Sequence, residues 1–459
     1  MNPLVDSTLN HYKRAFFLGI GGIGMSALAR YFKFLGWEVA GYDKTETILT
    51  KALETEGMNI HYSDHEDNIP ESFKELSATL FVYTPAIPKN SRELIFLIDI
   101  GAKVFKRSQV LGLITNTTKG IAVAGTHGKT TTSSMLAFIL SQSTIRCNAF
   151  LGGIASNFNS NLVVDENAEL TVLEADEFDR SFLNLKPFSS IITSTDPDHL
   201  DIYGDNQEFL KGFQDFAQLT NENGCLILKE GLQIQVAVPT LTYGINSSFA
   251  DITGKNLRFE NGFFKMDVQT PSLYLNDVEL GIPGIHNAEN ALACIAMSFS
   301  LGLTEFEIRS GLKDFKGVKR RFEYIIRKDN LVYIDDYAHH PTEINALINS
   351  VRMLYPNKKI TGIFQPHLFS RTKDFFNEFA IELSNLDEVI LMPIYPAREL
   401  PIPGVTSNEL MKRISQMNKQ LLAPNEIVPH LMKSENEVVL TIGAGDIDKL
   451  VLQIKAALS

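Results

Sequence analysis

Two phosphate-type turns and two acidic clusters carry most of the chemistry legible in this 459-residue chain. The stretch Gly125-Thr126-His127-Gly128-Lys129-Thr130-Thr131 stands between an apolar run, IAVAG, and a run of helical character, SSMLAFIL. At such a strand-to-helix turn, backbone amides and the positive end of the helix cradle phosphate oxygens. Lys129 adds a point charge, and the Thr130 hydroxyl can bind Mg²⁺. A standard P-loop has four residues between its glycines, whereas Gly125 and Gly128 enclose two, so this is a variant. A bare glycine turn with a solvated lysine is the plain alternative, but GKTT directly behind IAVAG favours nucleotide binding.

The second turn, Gly19-Ile20-Gly21-Gly22-Ile23-Gly24, satisfies G-x-G-x-x-G, and Asp43 ends the next strand nineteen residues beyond Gly24. Alone, that pattern reads as NAD binding. The same turn also fits any diphosphate, including that of a UDP-sugar, because glycines and a helix terminus recognise phosphate rather than nicotinamide. Two phosphate turns in one chain favour an enzyme that uses ATP on a nucleotide-linked acid.

Acidic clusters come after two apolar runs: Glu174, Asp176 and Glu177 after TVL, and Asp196, Asp198 and His199 after SSIITST. Singly, each reads as an acidic surface turn. Together, at neighbouring strand ends downstream of GKTT, they suit a metal–ATP site.

The elements that must position these residues are α/β units. AFFLGI, MSALARYFKFLG, WEVAGYD, TLFVYT and ELIFLIDIG alternate as strands and helices expected of a parallel sheet. A second unit begins with IAVAG and continues through TVLEAD, SSIITST and GCLILK, with a hairpin-like region near 238–280 before HNAENALACIAMSFSLGL resumes helical spacing. YIIR, LVYIDDY, KKITGIFQP, EVILMPIY and EVVLTIGAG form a third unit of about 135 residues. The expected domains are 1–114, 115–320 and 321–459.

Composition bounds the rest. Hydrophobic residues make up 44% and charged residues 21%, as in a folded globular protein. The net charge of −12 argues against general nucleic-acid binding. Three scattered cysteines, Cys147, Cys225 and Cys294, form neither a disulfide framework nor a zinc spacing, and fit the cytoplasm. Lys13 and Arg14 before an apolar run resemble a signal peptide, but glycines interrupt that run; with no stretch of 18 apolar residues, neither secretion nor membrane insertion is expected.

GIGGIGMSALA, AGTHGKTT, EADEFDRSF, DPDHLD, PGIHNAENA, GVKRRFE, DDYAHHPTEI, FQPHLFSRT and YPARELPIPGVTS together resemble the Mur ligases, in family order along nearly the whole chain, and within them the L-alanine-adding branch. The resemblance implies an N-terminal Rossmann-like domain for a UDP-sugar, a central ATPase-type domain and a C-terminal Rossmann-like domain. It implies ATP and Mg²⁺ (or Mn²⁺) as cofactors, UDP-N-acetylmuramate and L-alanine as substrates, and a monomer or homodimer. By similarity, Gly125 to Thr131 hold the ATP phosphates, and Thr130, Glu174 and His199 the metal. His286, Asn287 and Asn290 lie on the adenine side, and Arg321 and Asp335 serve the nucleotide. Gly19, Gly21, Gly22, Gly24, Met25, Ser26, Asp43 and Arg107 hold the UDP-sugar, and Tyr337, His339, His367 and Arg371 face the amino acid. Lys129, His127, Arg321 and His199 are the expected catalytic residues, with His127 near the acceptor carboxylate.

Two departures stand out. Many relatives have FQPHR where this chain has Leu368 after His367, which removes one cation and leaves Arg371 to carry more of the recognition. Some Mur ligases bridge metals with a carboxylated lysine after the DH motif; Lys211 is the nearest lysine, and that role is not assigned to it. The competing readings are a ligase that recycles a murein tripeptide, whose glycine turn is typically GICGTFM, an NAD-dependent oxidoreductase, and a silent nucleotide-binding regulator. GIGGIGM favours alanine over tripeptide, and an oxidoreductase leaves GKTT and the acidic clusters without work.

Overall fold

The computed structural model of the chain describes residues 8–115, 117–197, 200–260, 263–397 and 399–459. Its backbone forms three sheets. The first holds β1 (Arg14–Leu18), β2 (Glu38–Tyr42), β3 (Asn59–His61), β4 (Thr79–Tyr83) and β5 (Val104–Lys106) in the order β3-β2-β1-β4-β5, with every pair parallel. Parallel strands are covered on both faces and so read as unbroken apolar runs. RAFFL and TLFVY do so, with Phe16, Phe17, Leu80 and Phe81 buried. The chain leaves β1 toward one side and later returns to the other, opening a crevice at its C-terminal end. The turn Gly19–Gly24 sits there, ahead of the helix Ile23–Phe34.

The second sheet repeats the device on a larger scale. Its strands are β6 (Lys119–Ala124), β7 (Asn148–Ala155), β8 (Ser160–Val163), β9 (Leu170–Glu174), β10 (Ser189–Ile192), β11 (Leu226–Lys229), β12 (Thr240–Ile245), β13 (Ile252–Glu260), β14 (Phe263–Gln269) and β15 (Tyr274–Leu280). The order is β15-β14-β13-β12-β11-β10-β6-β9-β7-β8. β6 lies between β9 and β10, parallel to both, so the loops leaving those two strands flank the phosphate turn after β6. The region near 238–280, expected to be hairpin-like, holds β12 to β15, and β12 pairs β13 parallel rather than as a hairpin.

The third sheet comprises β16 (Glu323–Arg327), β17 (Val332–Asp336), β18 (Ile360–Phe364), β19 (Glu388–Leu391), β20 (Lys419–Leu421) and β21 (Val438–Ile442), in the order β16-β17-β21-β18-β19-β20. Only β16 is antiparallel to its neighbour. Its two faces pack into separate apolar clusters around Ile334, Ile344 and Leu440 on one side and Tyr333, Ile363 and Val439 on the other.

The chain divides into two compact units. One spans the described residues up to Asn256 together with Met266–Leu280 and Glu289–Lys316; the other holds Leu257–Lys265, Gly281–Ala288 and Gly317–Ser459. Within the first unit the helix Ile23–Phe34 joins the first sheet to the second. Tyr31 packs against Phe150 with ring centroids 5.3 Å apart, both rings buried, a contact that adds about 1 kcal/mol beyond its area. Arg30 Nη1 donates to Asn161 Oδ1 at 2.5 Å, and Asn161 Nδ2 donates to the Ile23 carbonyl at 2.6 Å and to Ser26 Oγ at 2.9 Å. Among the described residues no helix is long and apolar enough to cross a membrane.

Candidate active site

The phosphate turn is built by two glycines in conformations closed to other residues. Gly125 has φ +135° and Gly128, the N-cap of the helix Lys129–Ser141, has φ +84°. A Cβ on Gly125 would lie 2.1 Å from Thr193 Oγ1, and one on Gly128 2.6 Å from Asn290 Oδ1. The residues after β10 brace the turn: Thr193 Oγ1 donates to the His127 carbonyl at 2.5 Å, His127 N to Ser194 Oγ at 2.8 Å, and Thr126 Oγ1 to the Asp196 carbonyl at 2.7 Å. Asn290, on the helix Ile285–Ser300, also accepts from Thr132 Oγ1 at 3.1 Å. Asn290 therefore shapes the phosphate turn itself. His127 places its ring 3.5 Å from the Asp196 carboxylate.

Lys129 folds back onto its own turn. Its Nζ donates to the Gly125 carbonyl at 2.6 Å and sits 2.9 and 2.8 Å from the two carboxylate oxygens of Glu177. Glu177 is 2% exposed. Burial pushes its carboxyl up against the pull of Lys129. Burial also works against the ammonium, but Glu177, Glu174 and Asp176 more than compensate, so Lys129 stays protonated. Glu177 was visible in EADE only as one acid among several; its role as the partner of Lys129 depends on the turn after β9.

Glu174, at the end of β9, behaves differently. Its Oε2 is buried without a hydrogen-bond partner among the described residues, and its carboxylate lies where a Cβ on Gly152 would come within 2.4 Å. A buried carboxylate oxygen without a donor is costly unless a cation completes it. Thr130, in the first helical turn, is largely buried. Among the described residues no group of three or more His, Cys, Asp or Glu side chains clusters as a metal site. His199 and Asp198 lie outside the described residues.

The other glycine turn has its own charge pattern. Gly19 adopts φ +87°. Gly21 N donates to Asp43 Oδ2 at 2.8 Å, and Thr45 N to Asp43 Oδ1 at 3.1 Å. Asp43 thus spends both oxygens on backbone, and its place is to lock the turn. The helix Ile23–Phe34 starts at Gly22 without a side-chain cap and without an acid in its first turn. A Cβ on Gly24 would lie 2.7 Å from Arg107 Nη1. A guanidinium against an uncapped helix start concentrates positive charge, as an anion site requires. Met25 and Ser26 are buried in that first turn, with Ser26 Oγ donating to the Ile23 carbonyl at 2.8 Å.

In the second unit, Asp335 is 1% exposed and accepts from Thr441 Oγ1 at 2.6 Å and from Arg320 Nε at 3.3 Å. Both Arg320 and Arg321 lie over the Tyr337 ring, at 5.0 and 5.1 Å. Arg321 faces Glu343 at 3.9 Å. Sequence reasoning passed over Arg320, whose signal was only its place in KRRFE. His339 Nδ1 lies 2.9 Å from the Tyr337 carbonyl, and its ring is 6.1 Å from that of His367, which stacks on Tyr395 at 5.7 Å. Burial drives His339 and His367 down to about 4, with Arg371 adding to the effect in both. His286 is likewise lowered to about 4 by burial and by Arg321, and its Nδ1 has no hydrogen-bond partner among the described residues. Asn287 Nδ2 donates to the Pro283 carbonyl at 2.6 Å. Leu368 takes φ +70° and caps the helix Phe369–Asp374, which carries Arg371. Lys211 lies exposed on the helix Asn206–Gln218.

Known proteins match this layout from end to end. The family model described as Mur ligase family, catalytic domain, matches residues 15–119, the Mur ligase middle domain 123–298, and the Mur ligase, glutamate ligase domain, 320–445. The chain belongs to the Mur ligase family. A UDP-N-acetylmuramate–L-alanine ligase of Flavobacterium psychrophilum is 50% identical over 450 residues, covering 98% of this chain and 99% of its own. Its counterpart in Porphyromonas gingivalis is 48% identical over 448 residues, covering 96% and 98%. The crystal structure of a UDP-N-acetylmuramate–alanine ligase from Thermotoga maritima superposes with a TM-score of 0.82 at 28% identity, over 97% of this chain and 99% of that one. Mur ligases use ATP.

Proposed function

We infer that the chain is an ATP-dependent ligase that joins L-alanine to the carboxylate of UDP-N-acetylmuramate in peptidoglycan precursor synthesis. Identity of 50% along almost the full length to a relative of that name carries the reading. Two separate phosphate-type turns, each with its own cation, Lys129 or Arg107, support it physically. The tripeptide-recycling and oxidoreductase readings have no comparable support. We place the domain boundaries at 114/115 and 320/321, and the protein in the cytoplasm, where ATP and its three free cysteines belong.

In this reading the UDP-sugar diphosphate lies at the Gly19–Gly24 turn beside Arg107, and its lactyl carboxylate attacks the γ-phosphate of ATP. The products are an acyl phosphate and ADP. Lys129 leaves Glu177 for the phosphoryl oxygens, and Arg321 serves the same charge. Glu174 Oε2, unsatisfied among the described residues and with the space that Gly152 leaves, suits Mg²⁺ together with the Thr130 hydroxyl, and the family resemblance adds His199. Bound Mg²⁺ would neutralise phosphate charge. The alanine amine then attacks the acyl carbon, and the tetrahedral adduct collapses to the amide and phosphate. That amine must be unprotonated. His339, lowered to about 4, is too weak a base to take the ammonium proton, and with Nδ1–H directed to the Tyr337 carbonyl it presents Nε2 as a hydrogen-bond acceptor that orients the amine. His367, Tyr337 and Arg371 complete the amino-acid side.

The test is phosphate release from ATP and Mg²⁺ with UDP-N-acetylmuramate and, in turn, L-alanine, glycine, L-serine or the tripeptide, with product masses read alongside. An alanine-sized gain coupled to release supports the reading. Turnover with tripeptide alone would transfer the chain to the recycling reaction, and silence with every acceptor would leave a binding protein.

A further inference from the structure

Lys129 and Arg107, the cations of the two phosphate turns, are held by adjacent residues of one segment. Asp176 Oδ2 lies 3.3 Å from Arg107 Nη2, and Glu177 lies 2.8 Å from Lys129 Nζ. Two residues on, Asp179 pairs with Lys106, the neighbour of Arg107, at 2.9 Å. The acids cannot move independently. Phe182 N donates to the Asp176 carbonyl at 2.9 Å and Arg180 N to the Glu177 carbonyl at 3.0 Å, which ties both into one turn. That turn contains two successive non-glycine residues in the left-handed region, Asp179 and Arg180, both at φ 53°, a conformation that persists only where surroundings enforce it.

The surroundings do so from one side. Tyr203 Oη donates to the Glu177 carbonyl at 2.7 Å, Arg180 lies over the Tyr203 ring at 4.9 Å and pairs with Glu208 at 3.2 Å, and Phe182 stacks on Phe216 at 4.9 Å. The segment is thus a strained bracket, anchored behind and held in front by the two ion pairs and by Lys106.

We propose that Asp176 and Glu177 are positioning residues that couple the two phosphate sites, so that UDP-N-acetylmuramate, on displacing Asp176 from Arg107, shifts the bracket and frees Lys129 for ATP. The inference rests on the proposed function, which places a diphosphate at Arg107 and ATP at Lys129. A diphosphate beside Arg107 competes directly with the Asp176 carboxylate. Because Asp176 and Glu177 share one turn, the shift loosens the Lys129–Glu177 pair that ATP must otherwise break alone. By linkage, ATP returns the same factor to the UDP-sugar.

The experiment measures the dissociation constant of Mg²⁺–AMP-PNP by titration calorimetry, without ligand and with saturating UDP-N-acetylmuramate. It uses the full chain as wild type, Asp176→Asn, Glu177→Gln and Arg180→Gly. Wild type should bind AMP-PNP roughly five- to twenty-fold tighter in the presence of the sugar nucleotide. Asp176→Asn and Glu177→Gln should bring that ratio near one while each ligand still binds alone. Arg180→Gly, which removes a side chain paired with neither the Asp176 nor the Glu177 carboxylate and relieves the left-handed strain, should lower the ratio as well. A wild-type ratio near one, or an undiminished ratio in the variants, overturns the coupling while leaving the ligase reading intact. Failure of UDP-N-acetylmuramate to bind the wild type at all overturns both.

Discussion

Lys129 rests against Glu177, and in the proposed function it contributes only once the phosphoryl charge of ATP has replaced that carboxylate. Truncating it removes a preorganised donor to that charge. Lys129→Ala should cut kcat for alanine-dependent phosphate release by roughly 10³; a loss under ten-fold would remove Lys129 from the chemistry. His339 offers a second test at this scale. Its imidazole is held neutral by burial, with Arg371 and Arg321 adding to the depression and Glu343 opposing it. His339→Ala should lower kcat/KM for L-alanine by about 10²-fold and leave the AMP-PNP affinity alone. The motifs located Lys129 and Thr130 at a helix start and Glu174 at a strand end, which is where the structure has them. They did not locate the partners: Glu177 against Lys129, Asp176 against Arg107 and Arg320 against Asp335 join residues 15 to 69 positions apart, and no local spacing encodes such pairs.

At the scale of elements, both phosphate turns occupy the same place, the C-terminal end of a strand flanked on its two sides by parallel neighbours. Apolar runs such as AFFLGI and IAVAG announced these strands, because burial on both faces leaves little room for polar residues. β7 was harder to see. NAFLGGIA contains two adjacent glycines, which weaken a strand pattern, yet Gly152 is there because the Glu174 carboxylate approaches its backbone. Gly152→Ala should push that carboxylate aside, since a carboxylate can rotate where backbone cannot. Its expected signature is a Mg²⁺ requirement raised by roughly ten-fold or more with a thermal midpoint near that of wild type. A variant with normal Mg²⁺ dependence would detach Glu174 from the metal. Leu368, at φ +70°, is the other element-scale surprise: it carries backbone strain, of about 1–3 kcal/mol, at the start of the helix that bears Arg371.

At the scale of the whole molecule, three α/β sheets were foreseeable from alternating strand and helix patterns, whereas the union of the first two into one compact unit was not. That union depends on side chains such as Tyr31, Phe150 and Asn161, whose partners lie more than a hundred residues away. The second unit carries a pH signature. His286, His339 and His367 are lowered to about 4, so between pH 6.5 and 4 the unfolded chain binds protons there that the folded chain refuses. Stability contributed above that window is lost as pH falls through it. Asp336, pushed up to about 6 by burial, acts oppositely, as do Asp335 and Glu177, which burial also raises, so the histidines are offset in part. Urea midpoints of the full chain should therefore drop from pH 7 to pH 5, and His286→Phe should reduce the drop; a flat profile would show that these histidines are not buried in solution.

The account stands or falls on a carboxylate that takes phosphate from ATP before alanine takes the acyl group. UDP-N-acetylmuramate labelled with ¹⁸O in its lactyl carboxylate, incubated with enzyme, ATP, Mg²⁺ and L-alanine, tests it most directly. The account predicts one ¹⁸O in each released phosphate and an amide product heavier by one alanine residue. Unlabelled phosphate, or labelled phosphate without the alanyl product, would contradict it.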